Sequence, residues 1–260
     1  MQEWRYYQLP DGTICCGVHS RNKERVELPK VKNILSEVVV TKGEGKVTVR
    51  KMQMMRSVED LGNYARVYPN FKHGGRKDAI FPCNTLSPMS LGPIEHGQPS
   101  FPPAQNLENM WQGSKCYEDE MNDKGRPTQK FFDTEYKMYL DDVPHRHKEQ
   151  YKTSKCLFMI WEKEKKKLIK LPYVESRQIY CHFYAKYARE QDAFKKLKKL
   201  HDEGINICIY GYDGYEPSDD IEKDYLDPKR PFGHELVLYV MLKYKEEDWI
   251  WKKHSTLNLT

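Results

Sequence analysis

Along the 260-residue chain the apolar positions change their spacing twice, and each change predicts a different kind of element. In the first fifty positions they come in short runs between turn-formers. Trp4–Leu9 and Ile14–Val18 flank Asp11-Gly12, while Glu37–Thr41 and Lys46–Arg50 flank Lys42-Gly43-Glu44-Gly45, which predicts paired strands and a β-rich region over residues 1–80. From Ser57 to Tyr68 the pattern is mixed and stops at Pro69. Between Pro82 and Pro103, Pro88, Gly92, Pro93, Gly97 and Pro99 exclude a long helix or a central strand, so an irregular, site-forming loop is expected.

After Pro103 helical spacing begins, with Asn106 as cap and apolar residues recurring through Tyr117. Residues 118–155 are charged and broken by Gly125, Pro127 and Pro144, and read as an insertion with a short helical piece. Ser176 to Glu203 lacks proline and glycine; Ile179, Phe183, Tyr187, Phe194, Leu197 and Leu200 mark a 3.6-residue stripe closed by Gly204, which predicts one long helix. Ile205–Tyr210 then reads as a buried strand, Gly211–Pro217 as the loop at its end, and Leu236–Tyr244 as a buried helix. The sum is an α+β fold: a mostly helical body over residues 81–260 with a β-rich N-terminal addition.

Composition narrows the function classes. Mean hydropathy is −0.85 and no apolar run approaches the ~18 residues of a membrane span, so no membrane partner is expected. The 43 Lys+Arg against 38 Asp+Glu leave a net charge of +5, which permits an anionic ligand without demanding one. Seven cysteines, an odd number without Cys-x-x-Cys spacing, and an N-terminus lacking an apolar h-region lead us to expect an intracellular, reducing compartment, cytoplasm or nucleus. No phosphate-loop or dinucleotide-binding glycine motif occurs, and no cofactor is expected. His145, His147, His182 and His201 read as solvated or structural rather than as a metal set, the loop Lys72–Lys77 as a solvated turn, and the lysine runs at 163–167 and 195–199 as solvated faces.

Candidate chemistry concentrates in the helix after Pro103. Glu108, Gln112 and Lys115 stand at i, i+4 and i+7 and share one helix face, so a carboxylate, an amide and an amine converge. Trp111 on the same helix makes it too apolar for a free surface element, and the proline-rich loop just before it is built to fold over something.

These residues resemble the NADAR family, whose hallmark is a helix of the form Glu-x-x-aromatic-Gln-x-x-Lys after a Leu-Ser loop. Glu108, Trp111, Gln112 and Lys115 match the helix at its four marked positions, and Thr85–Ile94 is similar to the loop. Asp213-Gly214-Tyr215 and the stretch Phe232–Leu242 are similar to the family's later motif, and Trp161 stands between the two regions, as in the family. The resemblance spans roughly residues 85–245. It departs from the family in Pro88-Met89, in the residues after Tyr215, and at His234.

The resemblance implies an N-glycosidase that cuts between a ribose anomeric carbon and a base-like nitrogen, acting on ribosylamino-pyrimidine phosphates or removing ADP-ribose from guanine in nucleic acid. It implies Glu108, Lys115 and Asp213 as catalytic residues and Ser87, Trp111, Gln112, Trp161 and Tyr215 as substrate-binding ones. The residue types suit this chemistry. An oxocarbenium-like transition state wants a nearby carboxylate and a proton donor for the leaving nitrogen, roles that Glu108 and Asp213 can share in either order. Lys115 can serve as a cation for phosphate, or as a nucleophile that forms an imine with the opened ribose. The rival expectations are a non-catalytic reader of ADP-ribose or a nucleotide, and an interaction protein in which the polar trio is accidental.

Overall fold

A computed structural model of the protein describes residues 5–8 and 14–17 as backbone strands, and residues 42–53, 56–72 and 75–259 in full. The chain divides into two units, Met1–Glu37 and Val38–Thr260. In the first, strands β1 (Arg5–Gln8) and β2 (Ile14–Gly17) pair antiparallel with Arg5 opposite Gly17, the hairpin expected around Asp11-Gly12. The expected strand Glu37–Thr41 lies outside the described residues, as do His73 and Gly74 of the basic loop.

The second unit has an α+β fold organised on a parallel sheet. Strand β8 (Asn206–Gly211) lies between β3 (Val47–Lys51) and β4 (Tyr64–Val67), and both neighbours run parallel to it. All six residues of β8 are buried, as a strand covered on both faces requires. This pairing moves the expected boundary at residues 80/81. The strand expected at Lys46–Arg50, and a second at Tyr64–Val67 where the pattern reads as mixed, belong to the body's sheet: the buried strand β8 finds its partners some 140–160 positions upstream, with Val47 opposite Ile207 and Tyr64 opposite Asn206. The glycines at 43 and 45 serve that junction: the amides of both donate to the Gly204 carbonyl, and Asn206 Oδ1 accepts from the amides of Glu44 and Lys46.

A second, antiparallel sheet joins β5 (Lys115–Tyr117), β6 (Cys156–Glu164) and β7 (Lys167–Leu171). The lysine run at 163–167 is exposed at the tip of the β6–β7 hairpin, with Lys165 and Lys166 in the turn and Lys166 at φ +66.

Helix α1 (Leu107–Gly113) begins at the expected cap, the Asn106 side chain accepting from the Asn109 amide. Helix α2 (Gln129–Leu140) is the helical piece expected within residues 118–155. Its Phe131, Glu135, Met138 and Tyr139 are buried, and the Tyr139 hydroxyl meets Glu135, Ser114 and Gln98, so this segment is part of the core. The expected helix over 176–203 is two helices, α3 (Tyr173–Ala188) and α4 (Asp192–Asp202), separated by a turn in which Gln191 N donates to Ala188 O. The physical reason is burial. Helix α3 is enclosed on most of its surface, whereas α4 buries only Ala193 and Leu197 and leaves its lysines at 195–199 toward solvent, so the two stretches serve different environments. Gly204, at φ +88, ends α4 as expected. Helices α5 (Ile221–Leu226), α6 (His234–Lys243) and α7 (Ile250–Lys253) follow, with Leu236–Leu242 of α6 wholly buried. No described helix is long and apolar enough to cross a membrane.

Candidate active site

The loop before α1 is fastened to that helix by its backbone. The first amides of any helix lack intrahelical acceptors. Here Leu107 N donates to Leu91 O at 2.8 Å and Glu108 N to Pro88 O at 3.1 Å, so the loop's carbonyls close the helix end and bring the Leu-Ser segment against Glu108. Gly92 makes the crossing possible, since a Cβ there would lie 2.2 Å from the Gln105 carbonyl oxygen. Ser87 is buried inside this turn, its Oγ accepting from Met89 N, and Tyr184 holds the turn from α3 by donating its hydroxyl to Leu86 O at 2.8 Å.

The helix ends at Gly113, earlier than the i, i+7 spacing of Glu108 and Lys115 demands, so Lys115 opens strand β5 instead of completing a helical face. The trio still converges. Gln112 Nε2 donates to Glu108 Oε1 at 2.8 Å, and Lys115 Nζ donates to Gln112 Oε1, also at 2.8 Å. Gln112 is buried, and Glu108 and Lys115 are half-buried yet closely surrounded by protein. Desolvation pushes the Glu108 carboxyl above its usual range, against the opposing pull of the Gln112 hydrogen bond and of the neighbouring basic side chains Lys115, His234 and Arg146. Burial also holds the Lys115 amine below its usual range. The ammonium lies 5.2 Å from the centre of the Trp111 ring, and that ring tilts onto buried Tyr180 at 5.1 Å. Trp111 is half-buried, with part of its surface open to solvent.

Asp213 stands exposed in the turn after β8. None of the described hydrogen bonds or ion pairs joins it to the trio; desolvation holds the nearby His147 imidazole below its usual range, Lys115 adds to that effect, and the negative charge of Asp213 opposes it. Two residues expected to touch substrate make none of the described contacts with the trio. Trp161 is 3% exposed, its ring packed 5.9 Å from Phe183 and 6.0 Å from His96, which makes it a core residue. Tyr215 is half-buried under Arg230, 5.2 Å away, among the charges of Asp224, Arg177 and Asp227.

The segment 144–148, in which His145 and His147 read as solvated, follows directly on the backbone that Asn109 of α1 holds. Asn109, wholly buried and next to Glu108, donates to the carbonyls of Asp141 and Val143 and accepts from His145 N at 2.7 Å. Arg146 and His147 follow, and both are exposed. The sequence signal was there in the run His145-Arg146-His147; its neighbour across space was not. His234, at the start of α6, is the other basic residue acting on Glu108, and its imidazole is fixed between the Pro69 carbonyl and Glu235. The other histidines weighed as metal ligands are dispersed: His145 pairs with Asp141, His182 packs against Phe183 with burial holding its pKa down to about 4, and His201 lies beside Asp202. Among the described residues no three His, Cys, Asp or Glu side chains form a group able to hold a metal ion.

Compared with known proteins, the chain matches no family model, no curated sequence and no solved structure. A functional reading therefore rests on the residues themselves.

Proposed function

We propose that the protein is an N-glycosidase that hydrolyses the bond between the anomeric carbon of ribose or ADP-ribose and a base nitrogen, with ADP-ribosylated guanine in nucleic acid as the substrate that the sequence resemblance implies. The observation that carries the reading is the chain Glu108–Gln112–Lys115, in which a carboxyl pushed up and an amine pushed down share one buried amide. A carboxyl raised by burial keeps its proton closer to neutral pH, as a general acid for the departing nitrogen must. In this reading the C1′–N bond breaks as Glu108 protonates the nitrogen, exposed Asp213 faces the developing positive charge of the sugar, and water or the Lys115 amine takes the anomeric carbon. Trp111, half-open beside Lys115, offers a flat face to the substrate, and Ser87 shapes the loop that holds Glu108. No cofactor enters this scheme. An intracellular, reducing compartment belongs to the same reading, supported by five described cysteines being free thiols.

The test is incubation of the purified chain with an oligonucleotide carrying ADP-ribosylated guanine, followed by mass analysis. Released ADP-ribose with restored guanine supports the reading. Retention of the intact modified strand by the protein, without release, supports a non-catalytic reader instead.

A further inference from the structure

The short segment Pro144–Lys148 is held more firmly than its charge and proline suggest. At one end Asn109, which adjoins Glu108 on α1, accepts from His145 N within the segment and donates to the carbonyls of Asp141 and Val143 just before it. At the other end the Lys148 ammonium, with no side-chain exposure, pairs with equally buried Glu120, 3.0 Å to one carboxylate oxygen and 3.2 Å to the other. Glu120 in turn accepts from Tyr117 N at the end of β5, the strand that Lys115 opens. The segment therefore spans from the helix that carries Glu108 to the strand that carries Lys115. Its two middle residues are fixed beside the site while their side chains stay in solvent.

Those two side chains are of unlike kinds. Arg146 makes none of the described ion pairs, and its charge reaches Glu108. His147 lies flat on Tyr151, with ring centres 3.8 Å apart and planes within 6°, and Tyr151 is 53% exposed. A parallel aromatic pair fixed at a site, with an outer face open to solvent, is a stacking surface for one more flat ring. Partial desolvation and the neighbouring cations Lys115 and Arg146 keep His147 below its usual range, so near neutral pH it offers a neutral ring rather than a second charge.

We propose that Pro144–Lys148 is the nucleotide-binding arm of this site: the His147–Tyr151 pair stacks on the base of the bound nucleotide, and Arg146 pairs with its phosphates. This rests on the N-glycosidase reading for the identity of the ligand and assigns the specificity for a nucleotide, as against a bare ribosylated base, to Arg146 and His147.

Calorimetric titration of the full chain with ADP-ribose and, separately, with adenosine tests it, beside the release assay on the ADP-ribosylated oligonucleotide. Arg146→Ala should weaken ADP-ribose ~10–100-fold and leave adenosine unchanged, since only the phosphates lose a charged partner. His147→Ala should weaken both ligands ~5–100-fold, since both carry the base. Both residues are exposed, so the variants fold as the parent does, which matched melting curves check. Equal affinities in parent and both variants, with a parent that releases ADP-ribose, overturn the arm and leave the glycosidase standing. Losses on substitution as expected, with a parent that releases nothing, establish the arm and overturn the glycosidase. A parent that binds neither probe overturns the arm whatever the release assay gives.

Discussion

Lys115 reaches Gln112 from outside the helix. The amine donates to Gln112 Oε1 at 2.8 Å from the first residue of a strand, after α1 has ended at Gly113. Because an amide is at once donor and acceptor, Gln112 can satisfy a carboxylate and an ammonium together, and it holds them apart so that neither fully neutralises the other. A direct ion pair would pull the carboxyl down and the amine up. The interposed amide leaves burial as the dominant influence on both.

Glu108→Gln is expected to lower turnover ~10²–10⁴-fold while ADP-ribose binding persists, because the amide keeps the shape and loses the transferable proton. Stability gives a second readout. The folded pKa of Glu108 lies above its ordinary 4.5, so its stabilising contribution is present below pH 4.5 and is lost as pH rises through the folded value. The variant should therefore melt at or above the parent's temperature at pH 8 and show no such gain at pH 4. A variant that turns over at the parental rate removes Glu108 from the chemistry.

Lys115 is expected to form an imine with the opened ribose. Its amine would attack the anomeric carbon with loss of water, and borohydride would reduce the C=N bond to a stable secondary amine. Mass analysis of the peptide containing Lys115 should show the sugar adduct in the parent and none in Lys115→Arg, which keeps the charge and lacks the nucleophile. An arginine variant that retains most activity, with no adduct at any lysine, assigns Lys115 to electrostatics alone.

Gln112→Glu probes the bridge itself. A carboxylate in place of the amide pairs directly with Lys115 and repels Glu108, so the amine should stay protonated and the Glu108 carboxyl should rise further. Borohydride trapping should fall several-fold, and the pH of half-maximal activity should shift upward. An unchanged pH profile would mean that the bridge does not set the protonation of its neighbours.

The local part of this site could be read from sequence, and the non-local part could not. Asn106, Glu108, Trp111 and Gln112 announced a capped helix because cap and spacing are properties of adjacent residues. Lys115 was placed beside the other two for a reason that fails, since Ser114 closes the helix by donating to Met110 O before the second turn is complete. Strands β3 and β4 escaped assignment to the body because their partner lies late in the chain, and pairing across such distance leaves no periodic trace. Trp161 was a candidate through the resemblance alone; that β6 turns it inward onto Phe183 is a matter of sheet facing, which local pattern does not reveal.

Glu135 gives a pH dependence outside the site. Wholly enclosed, it is pushed up to about 7 by desolvation, against the opposing charge of Lys148 and the hydrogen bond from Tyr139. A raised carboxyl contributes stability below its ordinary 4.5, and that contribution is lost as pH rises through about 7. Glu135→Gln keeps an acceptor for the Tyr139 hydroxyl and has no proton to lose. The difference in melting temperature between variant and parent should therefore grow in the variant's favour from pH 5 to pH 8; a constant difference over that range would show that Glu135 does not titrate there.

The buried pair of Lys148 and Glu120 couples stability to the site. Neither side chain has exposed surface, and the ammonium also lies 4.6 Å from the centre of the Phe131 ring. Lys148→Met removes one charge and leaves the Glu120 carboxylate buried without its counter-ion, a loss of ~3–5 kcal/mol for pairs of this kind. Adding Glu120→Gln removes the stranded charge, and the amide can still accept from Tyr117 N, so the double variant should regain most of the lost stability in denaturant melts. The two effects separate if Lys148 also positions the segment that begins at Pro144. The double variant then recovers its melting midpoint while its affinity for ADP-ribose stays several-fold below the parent's, because methionine fills the space without fastening the backbone on either side of Arg146 and His147. Recovery of both together would confine the pair's role to packing.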